Sequence, residues 1–145
     1  MLRDPSLIPL SHQHHNGLAL CVLTERSLRQ DTSPANVDKL ARKAIDRYEL
    51  ELTNHFDIEE RILFPAIDSA LIPALIADHR RLEALVDSLR TRPSADLLLE
   101  FAALLRRHIR REENELFEEI QRRLPRGLLD SLGKEIDAQA VRICL

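Results

Sequence analysis

Four interruptions limit what this chain can fold into: DTSPAN at 31–36, ALIP at 70–73, TRPSAD at 91–96 and LPRG at 124–127. Each contains a proline, so no regular element is expected to cross them. The stretches they separate carry apolar residues three and four positions apart. These are Leu40, Ala44, Ile45, Tyr48 and Leu52, then Leu75, Ile76, Leu82, Leu85, Val86 and Leu89, then Leu97, Leu98, Phe101, Leu104, Leu105, Ile109, Leu116 and Ile120. That period belongs to helices with one buried stripe. The expected helices run from about 11 to 30, about 36 to 68, about 73 to just before 91, and from just after 94 to about 124. Ser33 or Asn36 can cap the second and Ser94 the fourth, while Pro65 should kink or end the second near Phe64. A short further helix is expected over about 128–141.

Three glycines, four Phe, one Tyr and no Trp in 145 residues exclude an all-β chain and a glycine-rich phosphate loop. At ~1.5 Å per residue the four long helices span roughly 25–45 Å, and short connections make sequence neighbours antiparallel. The expected fold is therefore all-α, an up-down-up-down antiparallel four-helix bundle with a short C-terminal extra helix. It forms a single domain over 1–145, with the bundle at about 11–124 and the tail at 125–145.

A net charge of −3 and a pI near 6.1 offer no general attraction to nucleic acid or to an anionic membrane. Arginine is abundant, in pairs at 80–81, 106–107, 110–111 and 122–123, but it alternates with glutamate and lacks aromatic platforms, as a solvated helix face does. Cys21 and Cys144 form neither a CxxC pair nor a disulfide framework, no run of 18 apolar residues occurs, and no export signal is visible. A cytoplasmic protein with no membrane and no nucleic-acid partner is expected.

The histidines carry the chemistry. His12, His14 and His15 lie near the start of the first helix, and His55, His79 and His108 fall one to each of the others. Each of these last three has a glutamate four positions on: Glu59, Glu83 and Glu112. That offset places both side chains on one helical face. Glutamate makes up 13 of the 145 residues by count, so three such pairs at one offset by accident come to under ~0.1%. Counting from the breaks puts the histidines at similar heights on the four helices, as ligands of one bundle site must be. Imidazole and carboxylate donors suit iron, manganese or zinc, and four His with two or three Glu exceed what a structural zinc needs, so a two-metal site fits the count. His14 and His15 both align with apolar residues of the first helix, and the pattern barely separates them. Glu60 and Glu113 are expected to receive an imidazole N–H. Glu51 and Glu25 are expected in solvated salt bridges, and Leu18, Ile62, Leu104 and Leu105 are candidates for an apolar wall.

PLSHQHHNGL, HFDIEERILFP at 55–65, DHRRLEAL at 78–85 and HIRREENELF at 108–117 together resemble the hemerythrin-like HHE cation-binding family over about 7–124. The resemblance implies a four-helix bundle around a non-haem di-iron centre that binds O2 reversibly or responds to O2, NO or iron level. Its cofactor would be two iron ions with an oxo or hydroxo bridge, other divalent metals being possible, and its small partner a diatomic ligand, O2 or NO. The implied metal ligands are His14, His55, Glu59, His79, His108 and Glu112, with Glu59 and Glu112 bridging; the resemblance favours His14 over His15. Glu83 is a further candidate, standing where the O2 carriers have a second histidine in HxxxH, and the last helix has HxxxE where they have HxxxxD. One alternative is a di-iron peroxidase, oxidase or iron and nitric-oxide stress repair factor. Another is a structural interaction module with a vestigial metal site.

Overall fold

The structure, a computed structural model, describes residues 1–144, and every regular element among them is helical. The first helix starts earlier than the expected position near 11. A 3-10 turn, Pro5–Leu7, is capped by Asp4, whose carboxylate accepts from the Ser6 amide at 3.0 Å, and α1, Ile8–Gln30, follows directly. Pro9 falls in the first turn of α1, where a missing N–H costs nothing.

After the Ser33 cap, α2 (Pro34–Arg47) continues without a break in helical backbone through a π turn at Tyr48–Leu52, α3 (Thr53–Ile58), a second π turn at Glu59–Leu63 and a closing 3-10 turn at Phe64–Ala66. Pro65 sits in that last turn, so the stretch stops just short of the expected end. α4 spans Ile72–Thr91. α5, Ala95–Arg111, is capped by the Ser94 hydroxyl, which accepts from the Leu97 amide at 3.1 Å, and runs through a third π turn at Glu112–Leu116 into α6, Phe117–Arg123. α7 covers Arg126–Gln139.

The π turns were not anticipated. In each, an amide reaches back five residues: Thr53 to the Tyr48 carbonyl, Phe64 to Glu59, and Phe117 to Glu112. They explain a spacing that a plain α-helix would not allow. His108, Glu112, Leu116 and Ile120 are all buried, four residues apart. Steps of four drift by about 40° each in an α-helix, about 120° over that run. One extra residue taken up in a π turn returns about 100°, and the run stays on one face.

The apolar core is in two parts. One cluster gathers Leu20, Leu28, Leu40, Phe56, Leu82, Leu85, Leu98, Phe101 and Leu105 with their neighbours from α1 to α5. The other gathers Leu7, Leu10, Ile58, Leu63, Phe64, Leu75, Leu116, Phe117 and Ile120, and α7 closes it with Leu129, Leu132 and Ile136. α1 packs on α5, α5 on α4, and α4 on α2. Gly17 lets α1 come close to α5, since a Cβ there would lie 2.9 Å from Ile109 Cδ1. Among the described residues no helix is long and apolar enough to cross a membrane, and Cys21 and Cys144 are both free.

Gly133 holds α7 against the N-terminal turn, because an added Cβ would meet Ser6 Cα and Cβ at 2.9 Å. Backbone cannot swing aside as a side-chain tip can. Gly133→Ala is expected to cost about 1–3 kcal/mol in urea unfolding, as overpacking does. Gly127→Ala, whose Cβ meets nothing within 4 Å, should be neutral or gain up to about 1 kcal/mol.

Candidate metal centre

Six polar side chains lie between the two apolar clusters: His14 from α1, His55 from α3, Glu59 from the π turn after it, His79 from α4, His108 from α5, and Glu112 from the π turn after that. None is more than 3% exposed. Buried polar groups need partners, and here each imidazole finds one for its Nδ1 on the outward side. His14 Nδ1 lies 2.5 Å from Glu113 Oε2, His55 Nδ1 2.8 Å from Gln13 Oε1, His79 Nδ1 2.7 Å from Glu60 Oε2, and His108 Nδ1 3.0 Å from Asp78 Oδ2. With Nδ1–H donated outward, all four histidines present Nε2 to the centre.

The inward distances are short. His14 Nε2 is 2.8 Å from Glu112 Oε1 and His79 Nε2 is 3.1 Å from Glu59 Oε1. His55 Nε2 stands 3.4 Å from Glu59 Oε1 and 3.6 Å from Glu112 Oε1, and His108 Nε2 3.4 Å from Glu112 Oε1. Two groups of four result, His14, His55, Glu59 and Glu112, and Glu59, His79, His108 and Glu112, with one donor atom of each residue within 4.8 Å of the others. The two carboxylates belong to both groups.

The arrangement repeats itself. The residue before His14, Gln13, takes the Nδ1 of His55, and the residue before His79, Asp78, takes that of His108. The residue after Glu59, Glu60, takes the Nδ1 of His79, and the residue after Glu112, Glu113, takes that of His14. Arg80 holds Glu60 at 2.5 Å and Arg3 holds Glu113 at 3.2 Å. Phe64 stacks on His79 at 5.9 Å between ring centroids, and Phe117 on His14 at 5.3 Å.

Of the candidates named from sequence, the structure brings His14, His55, Glu59, His79, His108 and Glu112 together. His15 and Glu83 are both exposed and lie outside the two groups. The buried face of α4 passes through Leu75, Leu82, Val86 and Leu89, and Glu83 falls off it. Glu60 and Glu113 receive imidazole N–H groups as expected. Glu51, expected in solvent, is buried, accepting from Asn16 Nδ2 at 2.8 Å and from Arg47 at 3.2 Å. Gln13 and Asp78 were missed, although each directly precedes a candidate ligand. Phe56, Phe64 and Phe117 stack against the histidines.

The site is built for positive charge. Burial and the neighbouring Glu112 push the Glu59 carboxyl up to about 8. Glu112 itself is held well below the usual range, its burial outweighed by His108 and the hydrogen bonds from Glu59, His108 and His14. His108 is raised to about 10 because Glu112 and Asp78 together outweigh its burial. Four buried atoms of this set have no hydrogen-bond partner: His55 Nε2, His108 Nε2, Glu59 Oε2 and Glu112 Oε2. An unmet buried polar group costs about 1–3 kcal/mol. Nitrogen and oxygen donors left unmet around one centre, with no thiolate among them, fit iron, manganese or zinc.

Metal-free chain should therefore lose stability as pH rises. The folded value of Glu59, about 8, exceeds its ordinary 4.5, so its contribution is complete below pH 4.5 and lost as pH climbs through 8. His108 acts in the same sense between 6.5 and about 10, whereas the contribution of Glu112 is lost on acidification. Chelator-treated protein followed by circular dichroism should melt lower at about pH 9 than at about pH 6. A flat or rising melting temperature would contradict this account of the site.

The family model described as Hemerythrin HHE cation binding domain matches residues 7–120. No curated protein and no solved structure matches the chain significantly.

Proposed function

Since the chain belongs to the hemerythrin HHE cation-binding family, we propose that it is a non-haem di-iron protein that binds or senses a small diatomic ligand, O2 or NO. The observation that carries this reading is the direction of the four imidazoles. Every Nδ1 is tied outward and every Nε2 faces the two shared carboxylates. His14 and His55 would hold one ion with Glu59 and Glu112, and His79 and His108 the other with the same pair. When bound, the two irons supply redox capacity and an open coordination position for a diatomic ligand.

The chain's own residues do the rest. Glu60, Glu113, Asp78 and Gln13 fix the ring planes and strengthen the donors. Glu59 and Glu112 offset the charge that two cations bring into an apolar interior. Phe64 and Phe117, stacked on His79 and His14, limit the water that reaches the centre. We read the four long helical stretches as an antiparallel up-down-up-down bundle in a single domain, on the short connections between them and their mutual packing. With Glu83 exposed, four imidazoles and two carboxylates make a set short of the five histidines of O2 carriers. That difference favours sensing or iron handling over bulk O2 carriage.

The test is to express the protein in iron-supplemented medium and purify it without chelator or added metal. Metal per chain and the visible spectrum are then measured before and after anaerobic reduction and re-oxygenation. About two irons per chain, with charge-transfer bands that return on exposure to O2, are expected. One zinc, or no metal with the helical signal unchanged, would overturn the proposal. Glu112→Ala, which removes a carboxylate common to both groups, should lower bound iron from about two to below about one per chain.

A further inference from the structure

The two halves of the centre resemble each other in their outer layer, although Phe56 stacks on His79 alone, at 4.0 Å, and Ser11 Oγ donates to Glu113 alone, at 2.7 Å. Each half has a glutamate on the Nδ1 of one histidine, an arginine on that glutamate and a phenylalanine stacked on the same ring. Behind the second histidine the halves differ. His108 Nδ1 faces the carboxylate of Asp78 at 3.0 Å, whereas His55 Nδ1 faces the amide oxygen of Gln13 at 2.8 Å. A carboxylate draws the Nδ1 proton harder than an amide does and leaves Nε2 the stronger donor, and it adds a negative charge one imidazole away from the cation.

Gln13 cannot exchange roles by turning its amide over. It is 1% exposed, and its Nε2 donates to Asn54 Oδ1 at 2.9 Å and to the Val141 carbonyl at 3.2 Å. Asn54 is in turn fixed by the Val141 amide at 3.0 Å and the Gln139 carbonyl at 2.9 Å. The acceptor on His55 is therefore a neutral oxygen by construction. The buried Glu51 lies in the same half but is neutralised by Arg47, so it does not restore the balance.

We propose that the two metal positions are unequal, the one at His79 and His108 filling first and releasing last, and that Asp78 and Gln13 are the positioning residues that make the difference. The inference rests on the two-metal reading above. Outer partners of metal-bound histidines typically change metal affinity by about 10–100-fold, so release to a competing chelator should occur in two phases separated by about that factor.

The experiment loads metal-free chain anaerobically with isotopically enriched ferrous iron, below and then at full occupancy, and records Mössbauer spectra and chelator-release kinetics. One quadrupole doublet at low loading, joined by a second at full loading, and biphasic release are expected. Asp78→Asn should abolish the slow phase, with circular dichroism unchanged. Two irons that load and leave the wild-type chain together would overturn the inference while leaving the proposed function intact. So would Asp78→Asn weakening both phases alike. A wild-type chain that takes up no metal overturns both. Should that variant fail to fold, the wild-type spectra decide alone.

Discussion

Two carboxylates buried at one level of a small helical protein demand positive charge there, and the structure is organised around that demand. Glu59 and Glu112 are fully buried, where an isolated carboxylate is costly and two together more so. Four imidazoles surround them and four outer acceptors hold the imidazoles, and this polar layer divides the apolar core into two clusters. α7 and the turn before α1 then close the cluster at the chain termini, with Gly133 and Ser6 setting how near they come.

Much of this was legible beforehand. The breaks at Pro34, Pro73, Pro93 and Pro125 and the apolar period between them marked the helices to within a few residues, since proline and burial act locally. The HxxxE pairs marked His55, Glu59, His108 and Glu112, because an offset of four is itself a geometric statement. Glu83 met the same offset and failed it. Which side of α4 is buried depends on Leu82 and Val86 packing against other helices, and a single-helix rule does not contain that. The choice between His14 and His15 was open for the same reason. Gln13 and Asp78 were invisible because their role is defined across the centre, toward a histidine on a different helix. Nothing within their own segment announces it.

The repeat between the halves was also present in the letters, as HFDIEERILFPAI and HIRREENELFEEI. Aligned, the two share His, the Glu-Glu pair, the Leu-Phe pair and a final Ile at equal spacing. The structure gives that shared spacing its meaning, for in both segments a π turn begins at the first glutamate. The second glutamate of each pair reaches the histidine that the first one faces from across the centre.

Those π turns bear on which changes in length the helices can absorb. Each holds one residue more than a plain α-helix would need to carry Leu63 or Leu116 back to the core face. Removing the exposed Arg61 would let the chain wind as uninterrupted α-helix with the following apolar residues still pointing inward. The backbone would gain regular hydrogen bonding and the core would keep its register, and only the widening beside Glu59 would disappear. By the measure of folding alone the surplus residue is dispensable; it is retained where a carboxylate must be set down among imidazoles.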